Sequence, residues 1–174
     1  MNTNTKNIFK HALIIVNPVS GLGDPKKRRE LIKNTAKEVG WIGEYEETTL
    51  RKSAGYIAKN AIKKGIKHIV VCGGDGTVME ALVAAVKKPV NVGVVPLGTG
   101  NLFARNLDLP LETEKAVKLA LTGNAEKIDI GVANGKYFSI VAGMGIDVDM
   151  IKDATRELKN KLGFFAYILL QLKI

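Results

Sequence analysis

The sequence is short of the residues that most often carry redox, metal or acyl-transfer chemistry. It has one cysteine, Cys72, so no internal disulfide can form. The place of that thiol in the apolar run His68-Ile69-Val70-Val71-Cys72 marks it as a small buried hydrophobe rather than a nucleophile. Only His11 and His68 are present, which leaves a His-based triad or a zinc site without the residues it needs. Aromatic residues make up 6%, too few for the interleaved stacking that single-stranded nucleic acid prefers, so no nucleic-acid partner is expected. No apolar run reaches the roughly 18 residues that a membrane span requires. The first ten residues are polar and lack the basic-then-apolar pattern of a secretory signal. With the lone cysteine, these absences lead us to expect a cytoplasmic setting.

What is abundant is positive charge. A net charge of +9 and a pI near 9.6 favour an anionic partner, and nucleic acid, acidic lipid and nucleotide all satisfy charge alone. The basic residues are spread along the chain, and only Lys26-Lys27-Arg28-Arg29 forms a dense cluster, read here as a solvated first helical turn. At 174 residues, with 46% hydrophobic content, the chain can bury one full core and the beginning of a second.

Residues 11–16 form a short apolar run halted by Asn17-Pro18, which predicts a buried strand entering a loop at 17–25. Helical spacing follows over 26–39, a weaker strand around 45–49 and a helix at 53–64. A strand at 67–72, a helix at about 78–86, a strand at 91–96, a short helix at 102–106 and a helix at 112–121 complete the alternation. Strands apolar on both faces, separated by amphipathic helices, predict an α/β fold with a parallel sheet covered on both sides. Right-handed crossovers then bring the loops at 17–25, 73–77 and 97–101 to one edge, where open α/β sheets bind ligands. After Gly123-Asn124 the texture changes to two strands, 127–132 and 136–141, joined by the hairpin signal Asn134-Gly135. The predicted division is an α/β domain at 1–123 and a β-rich second unit at 124–174. An apolar helix at 158–174 is expected to want a cover.

The loop Gly73-Gly74-Asp75-Gly76-Thr77 carries the strongest chemical signal. A capping box from Thr77 to Glu80 explains the threonine, the glutamate and one glycine. It does not explain three glycines around an aspartate. Glycine permits close approach of a ligand to backbone, and successive N–H groups at a helix start attract phosphate. Asp75 would repel a bare polyphosphate, so it suggests a bridging Mg²⁺ or a bond to a ribose hydroxyl. Gly98-Thr99-Gly100-Asn101 repeats the device, with Thr99 and Asn101 able to bond sugar or phosphate oxygens. Asn17, Ser20 and Gly21 offer small polar groups and backbone, although Asn-Pro-x-Ser-Gly also suits an ordinary turn. There is neither a Walker-type loop nor a Gly-x-Gly-x-x-Gly after the first strand.

Taken in order, Asn17-Pro18-x-Ser20-Gly21, Gly73-Gly74-Asp75-Gly76-Thr77-x-x-Glu80 and Pro96-Leu97-Gly98-Thr99-Gly100-Asn101-x-Phe103-Ala104-Arg105 resemble the diacylglycerol kinase catalytic domain. The bacterial soluble lipid kinases are the most similar branch. The likeness continues through Ile128-Asp129-Ile130-Gly131, Ala142-Gly143-x-Gly145-x-Asp147 and Gly163-x-x-Ala166-Tyr167. The resemblance implies a two-domain phosphotransferase of phospholipid metabolism, an α/β nucleotide domain followed by a β-sandwich lipid-substrate domain of which 124–174 is the incomplete start, with Mg-ATP as donor and a lipid hydroxyl such as that of diacylglycerol as acceptor. It implies ATP contacts at Asn17, Thr48, residues 73–77 and Thr99, an acidic, water-linked Mg²⁺ network including Asp75 and Asp129, and Glu80 bracing the loop. Peripheral contact with an anionic membrane surface is expected, and self-association is left open.

Two positions depart from the family pattern: Leu102 stands where an aspartate is common, and Met79 where an asparagine is common. The family's general base is an acid in a distal segment resembling Asp-Gly-x-Leu-Asp, and it is expected beyond Ile174, so no catalytic base is assigned within the chain. The expectation is a chain that binds nucleotide but transfers phosphate to lipid poorly when alone. The alternatives are an NAD kinase-like enzyme, which shares Gly-Gly-Asp-Gly-Thr, and a non-catalytic nucleotide-binding or regulatory module. Parallel incubations with NAD or with lipid separate the first from a lipid kinase. Nucleotide binding unaffected by Asp75→Ala would count against a role for the loop in the kinase and in the module.

Overall fold

The computed structural model describes residues 9–140. The predicted helix at 158–174 and the motifs at 142–147 and 163–167 lie outside them. The element order is β1 (Leu13–Val16), α1 (Pro25–Glu38), β2 (Tyr45–Glu47), α2 (Ala54–Lys63), β3 (His68–Gly73), α3 (Asp75–Ala85), β4 (Asn91–Pro96), α4 (Leu102–Asn106), α5 (Thr113–Thr122), β5 (Gly131–Ala133) and β6 (Lys136–Phe138). The first four strands form one sheet in the order β2-β1-β3-β4, every pair parallel.

The strand residues are apolar on both faces because both faces are covered. Ile14, Val16, Val70, Cys72 and Val95 pack with Ile32 and Ala36 of α1 and with Ala116, Val117 and Leu121 of α5. Their alternates Leu13, Ile15, Ile69, Val71 and Val94 pack with Ile57, Ala58 and Ala61 of α2 and with Val78, Ala81 and Leu82 of α3. Each fully buried aliphatic side chain contributes about 1.5–3 kcal/mol. Gly93 lets α5 approach β4, since a Cβ there would lie 2.8 Å from that of Ala120. His68, buried at the start of β3, stacks on Phe9 with ring centroids 3.7 Å apart, and its Nε2 donates to the Ala120 carbonyl at 2.7 Å. Burial holds its pKa below the ordinary value. Cys72 is fully enclosed, and burial pushes its thiol pKa up, as suits an unreactive group. No helix among the described residues is long and apolar enough to cross a membrane.

Two elements differ from the sequence expectation in a way that matters. Helix α3 starts at Asp75, three residues earlier than the spacing predicted, because Gly74 takes the extended cap conformation (φ −82°, ψ 178°) and Asp75, Gly76 and Thr77 fill the first turn. Strand β5 begins only at Gly131, the residue paired with the last residue of β6, Phe138, so residues 127–130 have no ladder partner there. The hairpin turn itself is as predicted, with Asn134 at φ 49° and Gly135 at φ 75°.

Candidate functional site

Because the four-stranded sheet is all parallel, the loops after β1, β2, β3 and β4 open on one edge. Two contacts lock them together. Asn17 Nδ2 donates to Thr77 Oγ1 at 2.9 Å, tying the first loop to the first turn of α3, while its Oδ1 accepts from the Val19 amide at 3.2 Å. Gly21, at φ 85°, lies against the loop after β4, where a Cβ would come within 2.6 Å of the Leu97 carbonyl oxygen.

The glycines of the central loop divide by cause. Thr77 folds back over Gly73, where a Cβ would lie 2.6 Å from the Thr77 Cβ. Gly74 faces Gly98, and a Cβ on Gly98 would lie 2.7 Å from the Gly74 Cα. Internal packing therefore accounts for Gly73 and for Gly98, whereas a Cβ on Gly74 itself would lie 3.4 Å from the Gly98 Cα, an ordinary contact. Gly76 is exposed with nothing within 4 Å of its would-be Cβ, so packing gives no reason for it. The first helical bond of α3 runs from the Val78 amide to the Gly74 carbonyl, leaving the amides of Asp75, Gly76 and Thr77 without intrahelical partners. Together with the positive end of the helix dipole they form a place for an anion.

Several expected ligand groups have other engagements. Asp75 Oδ1 accepts from the Phe103 amide at 3.0 Å and so caps α4 from a distant element, while Oδ2 faces Gly100. Asn101 was expected to present its amide to sugar or phosphate. Its Oδ1 instead accepts from the Gly98 amide at 2.8 Å and its Nδ2 donates to the Gly98 carbonyl at 2.7 Å, which shapes the loop, with Asn101 itself at φ 50°. Thr99 is exposed at the tip. The capping box expected from Thr77 to Glu80 does not form, because the early start of α3 places Glu80 in the second turn. Its Oε2 accepts from the Gly55 amide at 3.4 Å, linking α3 to α2. Ser20 donates its backbone amide to the Asn17 carbonyl at 3.1 Å in the first turn of the loop. Asp129 is exposed on the segment after α5.

A cleft of about 380 Å³ lies beside the start of α3. It gathers Asn17, Thr48, Thr77 and Glu80, drawn from three separate stretches of sequence. Its apolar walls, Pro18, Val19 and Leu50, escaped the sequence reading, because a loop aliphatic has no periodic signal. Val19 is 72% exposed and Leu50 fully so, which leaves two open apolar faces at the mouth.

The basic cluster at 26–29 is also not simply a solvated turn. Arg28 donates to the Leu22 and Pro18 carbonyls at 3.1 and 3.0 Å and pins the first loop, and Arg29 makes a two-pronged bond to Glu47 at 2.6 and 2.8 Å. The Arg29 hydrogen bond holds the Glu47 carboxyl below its usual pKa. Lys26 and Lys27 alone in the cluster are exposed.

An open parallel sheet whose carboxyl edge carries a bare helix start beside a mixed polar and apolar cleft defines the open α/β class, whose ligands sit at that edge. The family profile described as diacylglycerol kinase catalytic domain matches residues 11–133, and the chain belongs to that family. It is 37% identical over 164 residues to a diacylglycerol kinase of Bacillus subtilis, covering 92% of this chain and 54% of that protein. Against a diacylglycerol kinase of Staphylococcus carnosus it is 34% identical, covering 91% of this chain and 52% of that protein. A solved diacylglycerol kinase structure from Bacillus anthracis superposes with a TM-score of 0.67 at 27% identity, over 74% of this chain and 49% of that one. The chain thus spans about half the length of the relatives it matches.

Proposed function

We propose that this chain is the nucleotide-binding part, with the beginning of the lipid-binding part, of an ATP-dependent lipid kinase that transfers the γ-phosphate to a lipid hydroxyl such as that of diacylglycerol. The observation that carries the reading is the bare first turn of α3. Three amides without intrahelical partners and an exposed glycine with open space stand beside a cleft already holding Asn17, Thr48 and Thr77.

In this reading the amides of residues 75–77 hold phosphate oxygens and keep the developing charge of transfer stabilised. Val19 and Leu50 flank the flat base, and the Thr48 hydroxyl bonds to the nucleoside. The Asn17–Thr77 bond positions the two sides of the cleft. Among the described residues no group of three or more His, Cys, Asp or Glu is arranged to hold a metal. That suits Mg²⁺ carried mainly by phosphate oxygens and water, with Asp75 Oδ2 and, through water, Asp129 as the protein's contribution. The ion would neutralise phosphate charge during transfer. The carboxylate that deprotonates the acceptor belongs, in this proposal, to the part of the relatives' length that these 174 residues do not span.

Calorimetric titration of the purified chain with ATP and ADP tests the nucleotide site, and incubations of ATP with diacylglycerol or NAD test the acceptor. Nucleotide binding with no NAD phosphorylation and little or no lipid turnover is expected. Absence of nucleotide binding, or turnover of NAD, overturns the reading.

A further inference from the structure

The charge of this molecule is segregated. Between residues 54 and 90 there are six lysines, Lys59, Lys63, Lys64, Lys67, Lys87 and Lys88, against two acids, Asp75 and Glu80. Both acids sit in the first half of α3, toward the cleft, whereas the lysines crowd the opposite end of the α2–α3 layer. On the other face of the sheet three cations are ion-paired, in Arg29–Glu47, Lys115–Glu112 and Lys118–Glu38. None of the six lysines has an ion-pair partner among the described residues.

Three of those lysines, Lys59, Lys63 and Lys88, line a second, open cavity of about 290 Å³ between the C-terminal ends of α2 and α3. Lys59, Ile62 and Lys63 form one stripe of α2, three and four residues apart, and Ala84 and Lys88 face them from α3 and the turn after it. The helix dipole accounts for a lysine in the last turn of α2, such as Lys63. It does not account for Lys59, a turn further in, nor for a cavity with apolar groups between ammonium groups. The eleven residues of α3 separate this pole from the cleft by about 16 Å.

We propose that this cavity binds a phosphomonoester, with Lys59, Lys63 and Lys88 closing on its oxygens and Ile62 and Ala84 receiving the carbon atoms attached to it. A phosphomonoester brings nearly two negative charges and three acceptor oxygens, which suits three mobile point donors. The rim has no arginine fork to single out a planar carboxylate. The volume is that of a small ligand rather than a protein docking face. The site is independent of the nucleotide cleft and stands whether or not the chain is a kinase.

The test is titration of the 174-residue chain with glycerol 3-phosphate, and with phosphatidylcholine vesicles containing either phosphatidic acid or phosphatidylserine, read by amide shift mapping and calorimetry. Binding of glycerol 3-phosphate, mapped to residues 59–63 and 84–88, supports a soluble source. Binding of phosphatidic acid vesicles alone, in preference to phosphatidylserine at equal charge, supports a lipid source. The triple variant K59Q/K63Q/K88Q should weaken either by about tenfold or more while leaving ATP affinity and circular dichroism unchanged. Equal response to every anion, no binding, or binding insensitive to the triple variant overturns the proposal.

Discussion

Replacing Gly76 by alanine sets stability and ligand binding against each other. The position lies in the first turn of α3, has no positive φ and has open space around its would-be Cβ, so alanine fits without strain. Removing a glycine from a helix and from the unfolded ensemble should stabilise the fold by about 0.5–1 kcal/mol. For a protein of this size that is a rise in Tm of roughly 1–4 °C. The same methyl group would stand where a phosphate must approach the bare amides, and should weaken ATP by about tenfold, close to 1.4 kcal/mol. Gly73→Ala is the control with the opposite sign. Its methyl would collide with Thr77, at a cost of about 1–3 kcal/mol. Differential scanning calorimetry and isothermal titration of both variants give the four numbers. A Gly76→Ala protein that binds ATP within twofold of wild type would refute the argument that this glycine is kept bare for a ligand.

Asp75→Ala should lose nucleotide affinity and also the cap on α4, lowering stability by about 0.5–2 kcal/mol in chemical denaturation. Intact stability would show that the Phe103 amide finds another acceptor. His68 has a folded pKa below the ordinary 6.5, so the unfolded chain takes up the proton first as pH falls. Its contribution should be fully present above about pH 6.5 and be lost as the pH drops through that value towards the folded pKa. His68→Phe should flatten that part of the acid limb in urea titrations, and an unchanged slope would count against this account. Ile69→Ala, in the centre of the sheet with no exposure, should cost about 2–5 kcal/mol by the same measurement.

Much of this fold follows from local pattern. Runs such as Ile69-Val70-Val71-Cys72 are apolar without alternation because helices cover both faces, and that is visible without coordinates. The hairpin at Asn134-Gly135 was legible because both residues readily take the positive φ that the turn demands. The start of α3 was misplaced because a threonine followed three residues later by a glutamate mimics a capping box. Here the glycine before Asp75 serves as the cap instead. The apolar walls Val19 and Leu50 were missed because what makes them part of the site is their position beside Asn17 and Thr48.

By itself the sequence determined the alternation of strand and helix, the parallel sheet and the edge at which its glycine loops meet, since periodicity and right-handed crossover suffice for these. Which groups those loops leave free was decided only by tertiary structure. Asn17 meets Thr77 sixty residues away, Asp75 reaches Phe103 across twenty-eight, and Gly74 touches Gly98, so the hydrogen bonds and close contacts that occupy these residues depend on distant partners. What remains unoccupied after those pairings is the bare turn at Gly76, the place where the proposed phosphate would have room to enter.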